Sequence, residues 1–264
     1  MGKRFIPENR LKYLYYRLVS IRYCLIEMLF PPKVVDYKNI PIIINNFNRL
    51  DLLKKLINSL EIRGYKNIFI IDNLSTYPPL LEYYKTCSYK VFLLKENIGM
   101  TALWKSGIYK QFKNNFFVYT DSDVVPIDEC PADFLLFFLK TLQKHKLARK
   151  VGFSLKIDDI PDHYAFKERV ITWEQKFYDA FKRDDMLYWA PVDTTFALYR
   201  PRGKRKHANS NIEMYRTAYP YMVRHMPWYI DSNNPDEENR YYIERSNLST
   251  YWTKEGKSVL GIKK

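Results

Sequence analysis

Residues 37–155 alternate between two kinds of hydrophobic pattern. Short runs rich in Ile, Val and Phe are typical of strands that are buried on both faces. Between these runs, apolar residues recur every three or four positions, as Leu53, Leu56 and Leu60 do, and this spacing is typical of a helix with one buried face. The pattern predicts strands at 40–44, 67–72, 91–94, 116–120 and 151–155, and helices at 49–62, 78–86, 99–112 and 132–147.

This alternation predicts a fold class and a domain organisation. Strands joined through helices by short loops form parallel pairs, so we expect an α/β fold with a mixed, mainly parallel sheet and helices on both faces. After about residue 160 the alternation fades, and Trp, Tyr, Pro and charged residues dominate. We therefore predict one domain at 37–264, with a regular half at 37–125 and a less regular half at 126–264. An N-terminal amphipathic helix and a linker are predicted at 1–36.

The N-terminal segment is apolar, but charged residues interrupt it. Arg17, Arg22 and Glu27 lie within the apolar stretch 11–30, so no run of about 18 uncharged residues exists and no membrane-spanning helix is expected. Residues 3–27 include six basic and two acidic side chains, a local charge of 6 − 2 = +4. Such a helix either lies in a membrane interface or docks on its own domain, and the sequence leaves both open. Its apolar positions at helical spacing are Leu11, Leu14, Tyr15, Leu18, Leu25 and Leu29.

The net charge of the chain narrows the classes of partner that it could bind. The 264 residues include 43 basic and 29 acidic side chains, and the net charge of +14 favours anionic partners. The basic runs are scattered and no helix-turn-helix, zinc or RNP-type motif accompanies them, so we expect no nucleic-acid partner. The cysteines number three and form no CxxC pair, which excludes a disulfide framework and a thiolate zinc site and favours a reducing compartment such as the cytoplasm.

Polar and acidic residues follow four consecutive predicted strands. Because the carboxyl ends of parallel strands meet at one edge of a sheet, we expect these residues to lie close together. The acidic pair Asp121 and Asp123 comes directly after the apolar strand FFVYT. Two carboxylates this close repel each other unless a cation lies between them, and hard divalent ions take such oxygen ligands. The alternative is a solvated turn in which Asp121 caps the next segment.

The order of these strand ends resembles that of a known enzyme family. The residues from Asn45 to Arg49 after the first strand are followed by IDNLS, KENIGM and YTDSD. This order is similar to that of glycosyltransferase family 2 and related enzymes with the GT-A fold, and the similarity covers residues 40–126. The resemblance implies a GT-A-like sheet with a nucleotide-sugar across the strand ends. It also implies that the carboxylates of the DxD motif, Asp121 and Asp123, bind a Mn²⁺ or Mg²⁺ ion, which in turn coordinates the diphosphate.

The same resemblance assigns roles to individual residues. It implies binding of the nucleotide-sugar by Asn46, Arg49, Asp72, Asn73, Asn97, Gly99 and Asp121, and binding of the metal by Asp121, Asp123 and His225. For His225, the alternative is a histidine that packs against Trp228. Asp193 is the candidate catalytic base, with Asp158 and Asp159 as rivals. The family commonly has an acidic pair where Asp193 and Thr194 stand here, which leaves the identity of the base open.

The resemblance implies a metal-dependent glycosyltransferase. We expect it to move a sugar from a nucleotide-diphosphate sugar, with a UDP-sugar favoured, to a hydroxyl of a glycan or lipid-linked glycan. Residues 37–125 are then the nucleotide-sugar-binding half and 126–264 the acceptor half, in a cytoplasmic protein at the anionic inner face of a membrane. The alternative is a non-catalytic nucleotide- or carbohydrate-binding protein of the same fold. A sugar-nucleotide pyrophosphorylase is disfavoured because the loop after the first strand contains no glycine.

Overall fold

The structure, a computed structural model, describes residues 10–33, 36–180, 182–192, 196–203 and 214–246. Its first half consists of strands that alternate with helices, and the predicted boundaries hold within two residues except over 99–112. The elements are α1 (Arg10–Leu29), β1 (Ile42–Asn46), α2 (Asp51–Ile62), β2 (Ile68–Asp72), α3 (Pro78–Thr86), β3 (Lys90–Leu93), α4 (Ala102–Lys105), α5 (Tyr109–Phe112) and β4 (Phe117–Asp121).

The single helix predicted over 99–112 is broken into shorter pieces. A 3₁₀ turn over Gly99–Thr101 leads into α4, and Gly107, with a φ of 80°, separates α4 from α5. A left-handed residue interrupts a helix, and glycine adopts this conformation without steric cost. The chain after β3 therefore turns close to the strand ends before it enters α4.

The second half is built from shorter strands. The strand predicted over 151–155 is split at Phe153 between two different sheets. The elements are β5 (Val124–Pro126), α6 (Phe134–Lys144), β6 (Lys150–Gly152), β7 (Ser154–Leu155), α7 (Lys167–Tyr178), β8 (Lys182–Asp184), β9 (Leu187–Trp189), β10 (Ala197–Tyr199), β11 (Met214–Thr217), β12 (Met222–His225) and α8 (Glu237–Arg245).

Nine of these strands form one mixed sheet in the order β3-β2-β1-β4-β10-β6-β11-β9-β8. The pairs among β1 to β4 are parallel, whereas β10 runs antiparallel between β4 and β6. Of the eight described pairings, four are parallel and four antiparallel. The expectation of a mainly parallel sheet therefore holds for β1 to β4 only. A short connection explains one antiparallel pair: only two residues separate β8 from β9, and strands need a long crossover to pair in parallel.

Both faces of the large sheet are covered, and this fixes where successive side chains point. Ile42 and Ile44 belong to a core that includes residues of α2 and α6, whereas Ile43 belongs to a second core that includes residues of α4. Side chains alternate between the two faces along a strand. The alternation continues to the strand end, so Asn45 follows the face of Ile43 and Asn46 follows the face of Ile44.

Helix α1 is attached near the amino-terminal ends of the parallel strands, opposite their carboxyl ends. Its Glu27 carboxylate pairs with Arg200 at 2.6 Å and with Arg149 at 3.4 Å. Arg149 directly precedes β6 and Arg200 directly follows the antiparallel β10, which places both near the start of β4. None of the helices in the described part of the chain combines the length and the hydrophobicity that crossing a bilayer would require.

Candidate functional site

The strand order reverses between β1 and β4, and their carboxyl ends lie side by side. From β1 the chain continues outwards through β2 and β3, and it then returns to place β4 on the other side of β1. Open α/β sheets bind their ligands at such a reversal, outside the carboxyl ends of the strands. The register pairs Asn45 with Asp121 across β1 and β4, and Asn46 with Asp72 across β1 and β2.

On one face of the sheet edge, polar side chains form a continuous hydrogen-bond network. The Asn45 Nδ2 donates to Asp121 Oδ1 at 3.2 Å, and the Asn73 Nδ2 donates to Asn45 Oδ1 at 2.6 Å. Asn73 also contacts the loop after β3, where its Oδ1 accepts from the Ile98 amide at 3.1 Å and its Nδ2 donates to the Gly99 carbonyl at 3.1 Å. Three strand ends and the loop after a fourth are therefore joined through Asn73 and Asn45.

Asn45 is a site residue that the resemblance did not assign. The signal was the alternation of side chains, because Asn45 shares a face with Asp121 whereas its neighbour Asn46 does not. Asn97, by contrast, is exposed and uses its Oδ1 to accept from the Gly99 amide at 3.0 Å. Asn97 and Gly99 thus shape the loop that Asn73 holds at the strand ends.

Asn46 and Asp72 lie on the other face in a buried cluster with Tyr84. The Tyr84 hydroxyl donates to Asp72 Oδ1 at 3.0 Å and accepts from Asn46 Nδ2 at 2.9 Å. The second oxygen of Asp72 accepts from the Ser75 amide at 2.9 Å. Burial, followed by the nearby Asp72 carboxylate, raises the pKa of Tyr84 well above its ordinary value, so Tyr84 stays a donor. This cluster fixes the loop after β2, and only 1% of Asn46 and 2% of Asp72 is exposed.

Arg49 is buried beneath the C-terminal helix α8. Its Nη1 donates to Asn239 Oδ1, and its guanidinium lies 3.6 Å from the ring centre of Tyr242. Burial is the main reason why the pKa of Tyr242 rises to about 12, and the Asp123 and Asp121 carboxylates raise it further. Tyr242 therefore lies near the acidic pair as a neutral phenol. Nothing in the sequence pattern indicated that α8, 190 positions after Arg49, reaches the strand ends.

Strand β12 brings His225 beside Asp123. It pairs antiparallel with β5, and the register sets His225 opposite Val124, the residue after Asp123. The His225 Nε2 lies 3.7 Å from Asp123 Oδ2, and the Met226 amide donates to the Asp123 carbonyl at 2.8 Å. The His225 ring also packs against Trp228 at a centroid distance of 4.7 Å. His225 therefore packs against Trp228, as the alternative had it, and also lies beside Asp123 of the acidic pair.

The spacing of Asp123 and His225 bears on whether they could hold a divalent ion. A separation of 3.7 Å exceeds a hydrogen bond, so Asp123 and His225 face each other without a direct bond. In the described part of the chain, no three acidic, histidine or cysteine side chains are grouped as a complete metal site. Mg²⁺ commonly takes only one or two carboxylates from the protein and completes its shell with phosphates and water, and imidazole suits several transition metals. Asp123 and His225 therefore offer one carboxylate and one imidazole, which are donors that divalent ions accept.

The structure describes the surroundings of two of the three candidate bases. Asp193 lies outside the described residues. Burial alone would raise the pKa of Asp159, but hydrogen bonds from Tyr229 and Arg224 together hold it below its ordinary value, so its carboxylate is a weak base. Asp158 is exposed and pairs with Lys156 at 2.7 Å.

Comparisons with known proteins give only distant likenesses. No model of a known protein family matches the chain, and no curated protein does. Two matching solved structures are "Crystal structure of S. aureus TarS" and "Crystal structure of S. aureus TarS 1-349". The first is 15% identical over 80% of this chain, with a TM-score of 0.43, and this chain spans 40% of its length. The second is 14% identical over 81% of this chain and 74% of its own length, with a TM-score of 0.42. Similarity at this level assigns no activity.

Proposed function

We propose that the chain is a metal-dependent glycosyltransferase that uses a nucleotide-diphosphate sugar, with a UDP-sugar favoured. One observation carries the proposal: Asp123 and His225 face each other beside Asp121 at the point where the strand order reverses. A reversal point in an α/β sheet binds nucleotides, and carboxylates with an imidazole bind divalent ions. The GT-A resemblance of the strand ends, drawn from the sequence, is the second line of support.

Mn²⁺ or Mg²⁺ would be held by the carboxylates of Asp121 and Asp123 and by the imidazole of His225. When bound, the ion supplies positive charge that stabilises the leaving diphosphate. The chain's own contribution is to orient the ligands: Asn45 holds the Asp121 carboxylate, and Asn73 holds the loop over 97–99 against the strand ends. This loop would contact the base and ribose of the nucleotide.

The acceptor is proposed to be a hydroxyl of a glycan or lipid-linked glycan. In an inverting reaction that hydroxyl must lose a proton to a carboxylate opposite the leaving group. We assign this role to Asp193, because Asp159 is already bound to Arg224 and Tyr229. A non-catalytic nucleotide-binding protein of the same fold is the second candidate. The described rival bases favour it, because Asp159 is bound to Arg224 and Tyr229 and Asp158 pairs with Lys156.

Titration of UDP into the full chain, with and without Mn²⁺, tests the site. We expect binding that depends on Mn²⁺, is abolished in Asp123→Ala and is weakened about tenfold or more in His225→Ala. Asp128→Ala is a matched control, because Asp128 is an exposed aspartate five positions after Asp123, and it should bind as the wild type does. Equal binding in Asp123→Ala and Asp128→Ala would contradict the metal site.

Release of UDP from UDP-sugars separates the two candidate functions. A transferase should release UDP slowly from its own donor in the presence of Mn²⁺, with water as the acceptor, and faster with a glycan acceptor. Mn²⁺-dependent UDP binding without release from any of a panel of UDP-sugars would favour the non-catalytic protein.

A further inference from the structure

Helix α1 buries polar side chains together with Tyr23 and leaves a row of apolar side chains exposed. Ser20 is 1% exposed and the Glu27 side chain 12%, and both lie on the side that contacts the protein. A surface helix normally turns its apolar stripe inwards. Here a row of apolar side chains, which we call the α1 stripe, is 39% to 74% exposed: Leu14, Leu18, Ile21, Leu25 and Leu29.

Exposed arginines border this stripe on both sides. At 100° per residue, Arg17 lies roughly 60° to one side of Leu14 and Arg22 roughly 80° to the other. Both arginines are exposed. The only acid in α1, Glu27, points inwards and is neutralised by Arg149 and Arg200, so it does not offset the positive charge of the outer face.

We propose that the α1 stripe binds the surface of an anionic lipid bilayer, with the helix axis parallel to the membrane. An apolar face between cationic side chains is the pattern by which a helix inserts among lipid headgroups while its arginines contact the phosphates. A second copy of the chain fits this face poorly. Pairing two stripes would bring Arg17 and Arg22 of both copies together, in chains whose net charge is +14.

The attachment of α1 separates this surface from the candidate functional site. A cavity of about 620 Å³ between α1 and the sheet is lined by Cys24 and Met28 of α1 and by Ile40, Asn67 and Phe116 at or near the strand starts. The acidic pair lies at the other ends of these strands. The lipid proposal therefore stands whether or not the chain transfers a sugar.

Co-sedimentation of the full chain with vesicles tests the proposal. We expect binding to vesicles that contain phosphatidylglycerol, weaker binding at high salt and little binding to pure phosphatidylcholine. The double variant Leu18→Glu/Leu25→Glu should lose at least about tenfold in affinity, because it removes two apolar contacts and adds two negative charges. Both positions are exposed, so the fold should tolerate the change.

A double variant elsewhere provides the matched control. Ile62→Glu/Leu93→Glu makes the same charge change at positions 75% and 67% exposed, outside α1, and should bind vesicles as the wild type does. The proposal is overturned by equal loss in both double variants, by unchanged binding in the α1 variant, or by equal binding to phosphatidylcholine. It is also overturned if α1 instead drives a concentration-dependent dimer without lipid that the α1 variant abolishes.

Discussion

At the residue scale, Asn45 is the side chain on which the candidate site depends most. It connects Asp121 on β4 to Asn73 after β2, and Asn73 in turn holds the loop after β3. We predict that Asn45→Ala weakens Mn²⁺-dependent UDP binding about 10- to 100-fold, the range seen when a partner of a metal ligand is removed. Calorimetric titration measures this directly.

Asn67 offers the control for this prediction. It stands just before β2, at the other edge of the sheet, and its Nδ2 donates to the Asn39 carbonyl at 2.7 Å. Asn67→Ala removes the same atoms without reaching the site. Similar affinities in the two variants would show that Asn45 does not orient the ligands.

Because His145 is buried at the end of α6, we predict that the free energy of unfolding depends on pH. Burial, helped by the positive charges of Arg183 and Lys144, lowers its pKa below the ordinary value of about 6.5. The unfolded chain then binds a proton that the folded chain does not bind, so stability must fall as the pH falls below about 6.5. We expect the free energy of unfolding of the wild type to drop more than that of His145→Gln between pH 7 and pH 5.5 in urea titrations. Parallel pH profiles would contradict the prediction.

The sequence showed which residue types stand at the strand ends, but not which of them meet. The acidic pair after FFVYT was evident because an apolar strand directly precedes it. The separation of Asn45 from Asn46 needs the register of β1 against β2 and β4, which no single strand contains. The burial of Arg49 under Asn239 depends on residues far along the chain, and neither periodicity nor spacing reports such contacts.

At the element scale, the first half was predictable because β1, β2 and β4 are buried on both faces. Such strands are continuous apolar runs, and helices with strong apolar spacing separate them. The second half lacks this signal, because β6, β8, β9 and β10 have three residues each and α7 carries many charges. The position of α1 was left open, and in the structure Glu27 of α1 forms ion pairs with Arg149 and Arg200 of the domain.

Because Glu27 attaches α1 to the domain, we predict that removing its side chain strongly lowers the free energy of unfolding. Burial lowers the pKa of Arg149 to about 10 and the Glu27 carboxylate counteracts this, so Arg149 and Arg200 both depend on Glu27 for a counter-charge. Breaking a buried ion pair by removing one partner costs about 3 to 5 kcal/mol. We expect Glu27→Ala to lower the free energy of unfolding by about 3 kcal/mol in urea denaturation.

An exposed ion pair on α3 sets the baseline for this measurement. Glu82 pairs with Lys85 at 2.6 Å, but both side chains are largely exposed. Glu82→Ala should therefore cost less than about 0.5 kcal/mol. If Glu27→Ala costs as little, α1 is not held by its ion pair, and its docked position loses its physical explanation.

At the scale of the whole molecule, one sheet joins the two halves of the chain. β10 is contributed by the second half, yet it lies between β4 of the first half and β6. The Phe117 and Tyr199 rings stack across this junction with a centroid distance of 5.3 Å. The larger core likewise combines Ile42 and Ile44 of β1 with Phe153 and Phe196 of the second half. Neither half can bury its side of the junction alone.

This continuity predicts that the halves at 37–125 and 126–264 unfold together. A split near residue 126 would expose the edge of β4 and half of the shared core, so no state in which only one half is folded should be stable. Hydrogen exchange measured by mass spectrometry over a range of urea concentrations should give the same opening free energy for peptides from β1 and β4 as for peptides from β6 and β10. Peptides from α1, which is attached at the edge of the sheet, serve as an internal comparison and should open at lower free energy. Two separate opening free energies for β4 and β10 would mean that the halves are independent domains.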